Sequence, residues 1–122
     1  MVTLVTRSPS AIAMGQDLEM AGFVLRLLGP RATFPGDMTA EEADLMGQHS
    51  AYWRELTRSG IAVAFGPVLD PAGVYGLAVV RAIDEAEAQT VAAADPVIRA
   101  EAGFRFEIAP MMALVTRDDV DE

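Results

Sequence analysis

Four short segments of the chain carry the hydrophobic pattern of β-strands. Residues 23–28 are apolar at almost every position, as in a strand that is buried on both faces. Residues 61–68 and 74–82 are also apolar in both alternating sets, and the turn sequence Asp-Pro-Ala-Gly at 70–73 joins them into a predicted hairpin. In residues 104–109 large apolar side chains alternate with smaller or charged ones, which indicates a fourth strand.

A helix is predicted between the first two strands. Thr39 and Glu42 have the spacing of a capping box, in which each side chain accepts a hydrogen bond from the backbone amide of the other residue. Apolar residues then recur at three- and four-residue steps, and Gly60 suits the left-handed turn that ends a helix. The helix should therefore extend to about Ser59, with His49 on or beside its buried stripe.

A second helix is predicted over residues 85–94. Asp84 is a suitable N-cap for it, and Glu87 supplies the reciprocal acid. The sequence Asp95-Pro96 should end this helix, because a residue that precedes proline avoids the helical conformation. A short turn over residues 97–102 then leads to the last strand.

The order of these elements, βαββαβ, is that of an α+β, ferredoxin-like fold with a four-stranded antiparallel sheet. Both helices then cover one face of the sheet, and the apolar residues on the other face need a partner. We therefore predict a homodimer in which two sheets pack face to face. Residues 1–19 have no sustained period and are predicted to be an N-terminal extension, the domain spans residues 20–117, and residues 118–122 form a frayed acidic tail.

The composition limits the classes of function. The chain has 122 residues, of which 18 are acidic and nine are arginine, and its net charge of −9 argues against nucleic acid as a partner. It has no cysteine and one histidine, which excludes disulfides, thiolate nucleophiles and sites with several histidine ligands. No apolar run approaches the ~20 residues of a membrane span, and the start of the chain lacks the pattern of a secretory signal. We therefore predict no membrane partner and a cytoplasmic location.

His49 is the residue best suited to chemistry, because an imidazole can accept or give a proton near neutral pH. A histidine beside Tyr52 and Trp53 on a helix can equally be a packing residue. Arg26 lies in an otherwise apolar strand and must extend to an edge, pair with an acid or hold an anionic group of a substrate. Trp53, Phe65, Gly66 and Pro67 are further candidates for the wall of a binding pocket. Their default roles are core packing for the aromatic residues and shaping the end of a strand for Gly66 and Pro67.

Several of these residues occur in an order that resembles the YCII-related family. The resemblance rests on the string from His49 to Gly60, on Phe65-Gly66-Pro67, on the Asp95-Pro96 pair and on the closing Ile108-Ala109-Pro110, and it covers about residues 23–112. It implies a dimeric α/β barrel built from two ferredoxin-like subunits, with a site formed by a histidine and an aspartate, here His49 and Asp95. One member of the family is a chlorinated-hydroxyquinol dehydrochlorinase, but the substrate does not transfer to this chain.

Two functions remain open from the sequence. In the first, the chain is a cofactor-independent lyase or isomerase, similar to a dehydrochlorinase, in which His49 transfers a proton and Asp95 orients its ring. In the second, it is a non-catalytic dimeric module that binds a small molecule or supports assembly, and His49 is structural. A cofactor-free monooxygenase is a weaker third alternative. The sequence contains no glycine-rich phosphate loop, nucleophile elbow or paired histidines, so we expect neither a cofactor nor a metal.

Overall fold

The computed structural model describes residues 20–120. Its elements are β1 (Ala21–Leu28), α1 (Ala40–Arg58), β2 (Ala62–Val68), β3 (Tyr75–Ala82), α2 (Glu85–Ala93), α3 (Pro96–Arg99), β4 (Arg105–Pro110) and α4 (Arg117–Val120). The predicted N-terminal extension, residues 1–19, and the last two residues of the predicted acidic tail lie outside the described residues.

The four strands form one antiparallel sheet in the order β2-β3-β1-β4. Phe23 of β1 is opposite Val80 of β3, and Leu25 is opposite Ala78 on one side and Ile108 on the other. This is the strand order of a ferredoxin-like fold, so the α+β fold predicted from the sequence is confirmed. The sheet in residues 20–120 is that of one subunit, and the dimeric barrel remains a prediction.

Helix α1 begins and ends as its sequence predicts. The Thr39 side chain accepts from the Glu42 amide at 3.1 Å, and the Glu42 carboxylate accepts from the Thr39 amide at 3.0 Å. Ser59 is the C-cap, and Gly60 has a φ of 88°, a conformation that costs glycine little. The capping box and the glycine therefore fix the two ends of the helix that carries His49.

Asp95 connects two helices. It follows the C-cap of α2, and its own side chain accepts a hydrogen bond from the Val97 amide, which makes it the N-cap of the single-turn helix α3. Pro96 occupies the first position of α3, where the absence of a backbone N–H costs nothing. The predicted break at Asp95-Pro96 is confirmed, and the segment after it forms a helical turn at residues 96–99.

The two faces of the sheet differ in what covers them. On the face that we call the inner face, Phe23, Leu25 and Val80 pack with Trp53 of α1 and with apolar residues of α2 to form the main core. On the opposite, outer face, Val24, Leu77 and Val79 are only half-buried. This agrees with apolar side chains on both faces, as the sequence predicts.

The segment after β4 covers one end of the outer face. The Met111 amide donates to the Gly22 carbonyl, and a Cβ at Gly22 would lie 2.7 Å from the Leu114 Cβ, so the chain passes directly over this glycine. Residues 118–120 belong to the turn α4, which the Asp119 carboxylate caps by accepting from the Thr116 amide at 2.7 Å. The tail predicted to fray is thus helical up to Val120.

Within residues 20–120, no helix combines the length and the hydropathy needed to cross a membrane.

Candidate functional site

His49 and Asp95 form a close pair between α1 and the start of α3. The Nδ1 atom of His49 is 2.6 Å from Oδ2 of Asp95. Asp95 is completely buried, whereas 13% of the His49 side chain is exposed. Residues 46 positions apart in the chain therefore meet, with the carboxylate inside the protein and the imidazole at the boundary.

The Asp95 carboxylate accepts two further hydrogen bonds. Trp53 Nε1 donates to Oδ2 at 2.7 Å, and the Val97 amide donates to Oδ1 at 3.0 Å. His49 and Trp53 are four residues apart on α1, so they lie on the same face of the helix and reach the same carboxylate. A buried carboxylate needs such partners, because its desolvation is costly when it lacks them.

This arrangement fixes the protonation pattern of the imidazole. An ionised carboxylate can only accept hydrogen bonds, so the hydrogen shared between Asp95 and His49 belongs to Nδ1. In the neutral ring Nε2 then carries the lone pair and can take up a proton. Within residues 20–120 Nε2 has no hydrogen-bond partner, and it is not among the buried atoms that lack one, so it remains accessible. His49 therefore has the geometry of a base or acid that is oriented by a carboxylate.

A second consequence of the Asp95 charge appears at Tyr52. Burial, together with the negative charge of Asp95, raises the pKa of the Tyr52 hydroxyl to about 12. The hydroxyl donates to the Val91 carbonyl at 2.6 Å. Tyr52 is therefore a neutral donor that ties α1 to α2 beside the pair.

His49 lines a cavity of about 320 Å³, which we call the His49 cavity. Its walls come from α1, β2, β3, the start of β4 and the loop after β1, and most of them are apolar. Large side chains in the wall are Phe34, Met46, Trp53, Phe65, Phe104 and Phe106. Among the described residues that line it, none is an arginine, a lysine or an acid, and the residues that have a polar group in the side chain are His49, Ser50, Trp53 and Tyr75. Such a space suits a small, largely apolar and uncharged molecule.

Four of the pocket residues expected from the sequence lie at this cavity. Trp53, Phe65, Gly66 and Pro67 all contribute to its wall. Trp53 also binds Asp95, a role beyond the packing that its residue type predicts. A Cβ at Gly66 would meet no atom within 4 Å, so the glycine leaves open space rather than avoiding a clash.

Arg26 does not lie at the cavity. It is on the outer face of β1, where Nη1 is 3.4 Å from Oε1 of Glu107 and the guanidinium carbon is 4.3 Å from the centre of the Tyr75 ring. Of the three alternatives that the sequence allows, pairing with an acid is the one observed. Arg26 is thus not among the residues that line this cavity, and its role in holding a substrate group stays a prediction.

The loop between β1 and α1 supplies wall residues that the pattern of apolar and polar positions in the sequence does not identify. Gly29, Phe34, Pro35 and Met38 of this loop line the cavity. Phe34 packs edge-to-face on Phe104 with ring centres 5.2 Å apart. The signal in the sequence is weak, because loop residues follow no period; Phe34 is recognisable only as a large aromatic residue beside Pro35.

Arg31 holds this loop to the start of α1. Its guanidinium donates to Asp37 Oδ2 at 2.9 Å and, through two nitrogens, to the Glu42 carboxylate at 2.8 Å each. Hydrogen bonds from Arg31, and then from the Thr39 amide, lower the pKa of Glu42 to about 2. The Arg31 hydrogen bond also lowers the pKa of Asp37, and both carboxylates raise the pKa of Arg31.

No group of three or more His, Cys, Asp or Glu side chains that could hold a metal ion occurs within residues 20–120. The His49–Asp95 pair joins an imidazole and a carboxylate, which are groups that can accept or donate a proton.

The comparison with known families agrees with the fold and with the family that the sequence resembles. No match is found among curated proteins. The family model for the YCII-related domain matches residues 12–112, which is most of the chain. The protein therefore belongs to the family of YCII-related domains.

Proposed function

We propose that the protein is a cofactor-independent lyase or isomerase in which His49 transfers a proton and Asp95 orients its ring. The observation that carries the proposal is the 2.6 Å contact between Asp95 and Nδ1, which leaves Nε2 free beside an apolar cavity. Asp95 also stabilises the imidazolium that forms when Nε2 takes up a proton, as the carboxylate of a catalytic triad does.

The proposed reaction begins when Nε2 removes a proton from a carbon next to a carbonyl group. The C–H electron pair moves onto the carbonyl oxygen and forms an enolate. In an isomerisation, the imidazolium returns the proton to a different carbon of the conjugated enolate. In an elimination, a halide on the neighbouring carbon leaves with its bonding electrons as the double bond forms, and the imidazolium releases its proton to water.

The cavity indicates the kind of substrate. A cavity of 320 Å³ is roughly twice the ~150 Å³ space that holds a benzene molecule, so one substituted ring fits. An anionic substrate would meet no arginine or lysine among the described residues of the wall. The substrate is therefore a neutral, monocyclic molecule that carries a carbonyl or a hydroxyl group.

Two probes that yield the same product test the proposal. Cyclohex-3-en-1-one gives cyclohex-2-en-1-one by isomerisation, and 3-chlorocyclohexanone gives it by loss of HCl. We expect the protein to accelerate at least one of these reactions, followed by the ultraviolet absorbance of the conjugated enone. His49→Ala should lower the rate by about 10²–10⁴-fold, because general acid–base catalysis contributes that much.

Gln48→Ala is the matched control, since Gln48 is exposed and bonds only Asp44. This variant should keep the rate of the unmodified protein. Equal rates for His49→Ala and the unmodified protein would remove the catalytic role.

A second candidate function, a non-catalytic ligand-binding module, is favoured by one observation. Trp53 and the Val97 amide already satisfy the Asp95 carboxylate, so Asp95 has a structural role without any reaction. In this case the probes would bind in the cavity without turnover, and protein NMR signals of the cavity wall would shift with probe concentration. Binding without product in the enone assay would favour this second function.

We also propose that two copies of the chain pair through the outer face. Half-buried Val24, Leu77 and Val79 support this, because contiguous apolar side chains on a sheet face usually mark an interface.

A further inference from the structure

The Arg81 side chain has neither a hydrogen-bond partner nor an ion-pair partner within residues 20–120. It lies near the end of β3 on the outer face, opposite Gly22 of β1. Its Nε atom is buried and has no hydrogen-bond partner, the one such side-chain atom in the described part of the chain. No carboxylate of residues 20–120 lies within the 4.0 Å of an ion pair with it. A buried guanidinium donor without a partner is unusual, because buried polar groups are almost always paired.

Arg81 lines a second cavity, of about 360 Å³, which we call the Arg81 site. The start of β2 and the end of β3 form one side of it, and the C-terminal segment forms the other. Its wall includes Val63, Thr116 and a second arginine, Arg117, which also makes no hydrogen bond or ion pair within residues 20–120. None of its wall residues belongs to the His49 cavity.

Two acids stand near these arginines without forming a hydrogen bond or an ion pair with them. The Asp119 carboxylate accepts from the Thr116 amide and hydroxyl, and these bonds, with a smaller contribution from the charge of Arg81, lower its pKa. Asp118 is exposed and contributes to the wall, but it forms no salt bridge with either arginine. The donor groups of Arg81 and Arg117 therefore remain available in a chain where acids outnumber arginines by two to one.

We propose that the Arg81 site binds the oxyanion group, carboxylate or phosphate, of a small molecule. A guanidinium presents several N–H donors in a planar fork, and this fork fits two oxygens of a carboxylate or phosphate. An oxyanion at this site would accept hydrogen bonds from the guanidinium groups, and it would join Arg81 of the sheet to Arg117 of the C-terminal segment. The remaining space in the cavity holds the rest of the ligand.

This proposal does not depend on the proton transfer proposed at His49. The Arg81 site lies on the outer face of β3, whereas His49 lies on the inner-face side of the sheet. Loss of oxyanion binding would leave the His49 chemistry untouched, and a failure of the enone assay would leave this site untouched.

NMR titration of the full chain tests the proposal with inorganic phosphate and with acetate, each at matched ionic strength in sodium chloride. We expect the Nε–H signal of Arg81 and the amide signals of Val63 and Thr116 to shift and saturate with at least one of the two anions. Saturation with phosphate alone assigns a phosphate ligand, and saturation with acetate alone assigns a carboxylate.

Arg81→Gln and Arg117→Gln should each weaken this binding about tenfold, in keeping with the loss of a charge-assisted hydrogen bond. Arg81→Lys keeps the charge but loses the planar fork of donors. Its affinity for the anion should therefore lie between that of the unmodified protein and that of Arg81→Gln. The control is Arg99→Gln on α3, where an exposed arginine lines neither cavity. Absence of saturable shifts with both anions, or equal affinities in folded Arg117→Gln and Arg99→Gln, would overturn the proposal.

Discussion

At the residue scale, Asp95 is the group on which the site depends. Its two oxygens receive donors from three different residues: the His49 ring, the Trp53 ring and the Val97 amide. Each of these hydrogen bonds has a preferred direction, so the three together fix the position of the carboxylate. The His49 ring is fixed with it, because Nδ1 has one acceptor and the side chain is mostly buried.

Asp95→Asn should lower the free energy of unfolding by about 3 kcal/mol, as removal of one partner of a buried charged pair does. The amide has one acceptor oxygen, so its NH₂ group must face a donor. Urea unfolding followed by the fluorescence of the single tryptophan, Trp53, measures the change. Asp84→Asn is the matched control, because Asn and Asp are equivalent N-caps and Asp84 is exposed. Equal decreases in the free energy of unfolding of Asp95→Asn and Asp84→Asn would contradict the central role of Asp95.

The sequence identifies the pair at this scale only through the family resemblance. Periodicity places His49 on or beside the buried stripe of α1, but no local rule brings it to a residue 46 positions away. The donation from Trp53 to Asp95 is also invisible in the pattern, since a tryptophan in a core is expected to pack. The position of Arg26 is easier to predict from the sequence. It alternates with Phe23, Leu25 and Leu27, so it lies on the face of the sheet opposite to the one that the helices cover.

At the element scale, the loop between β1 and α1 is a structural wall of the His49 cavity. Arg31 ties it to Asp37 within the loop and to Glu42 on α1. Phe34 fixes the other side of the loop through Phe104. Local rules predict the capping box of α1, the N-cap of α2 and the turn at residues 70–73, because those features depend on neighbouring residues. They do not predict this loop, which depends on contacts between distant ones.

The lowered pKa values of Glu42 and Asp37 predict how this loop responds to acid. In the folded protein both carboxyls hold a proton less tightly than in the unfolded chain, so their contribution to stability is complete above about pH 4.5. It is lost as the pH falls toward about 2, the pKa of Glu42. Arg31→Gln removes the main cause of the shift and should flatten this part of the curve of unfolding free energy against pH.

Arg58→Gln provides the comparison for that experiment. Arg58 pairs with Glu55 on the same helix, and both side chains are 69% exposed. Such a pair contributes little, so the acid slope should stay as in the unmodified protein. A slope in Arg31→Gln as steep as that in Arg58→Gln would contradict the role of Arg31.

Gly29→Ala should disturb the wall of the cavity. A Cβ at this position would lie 2.5 Å from Phe34 Cδ1 and 3.2 Å from its Cβ, so the phenylalanine must shift, which disturbs its contact with Phe104. We expect a loss of about 1–3 kcal/mol, as for overpacking of a core. Gly47→Ala in the middle of α1 is the opposite case, since a Cβ there would meet no atom within 4 Å. Because alanine favours a helix more than glycine does, the free energy of unfolding should rise by about 1 kcal/mol. Thermal unfolding of both variants measures this, and a melting temperature that is unchanged in Gly29→Ala would contradict the clash.

At the scale of the whole molecule, the outer face of the sheet carries apolar side chains that are only half-buried in residues 20–120. Val24, Leu77 and Val79 lie at its centre, and Met111 and Leu114 already cover the end at Gly22. The strand pattern predicts the apolar character of this face, because β1 and β3 are apolar in both alternating sets. The pattern does not predict that the segment after β4 covers the end of this face, since the apolar residues of that segment follow no regular period.

Val79→Glu tests whether this face joins two copies. The unmodified chain should elute as a dimer in size-exclusion chromatography with light scattering at micromolar concentration. Val79→Glu should shift it to the monomer, because a charge at the centre of an apolar interface is costly to desolvate. Leu69→Glu makes the same change at a residue that is 82% exposed and outside the strands, and it should leave the dimer intact. A monomeric unmodified chain would contradict the homodimer.

The position of Asp95 between α2 and α3 has a consequence for the evolution of the protein. The same side chain that orients His49 also starts a helical turn and satisfies an indole N–H. Any mutation that retunes the imidazole through this carboxylate therefore also alters the folding of the segment around it. We expect variation among descendants of this protein to accumulate in the cavity wall, where residues can change while the His49–Asp95 pair is kept whole.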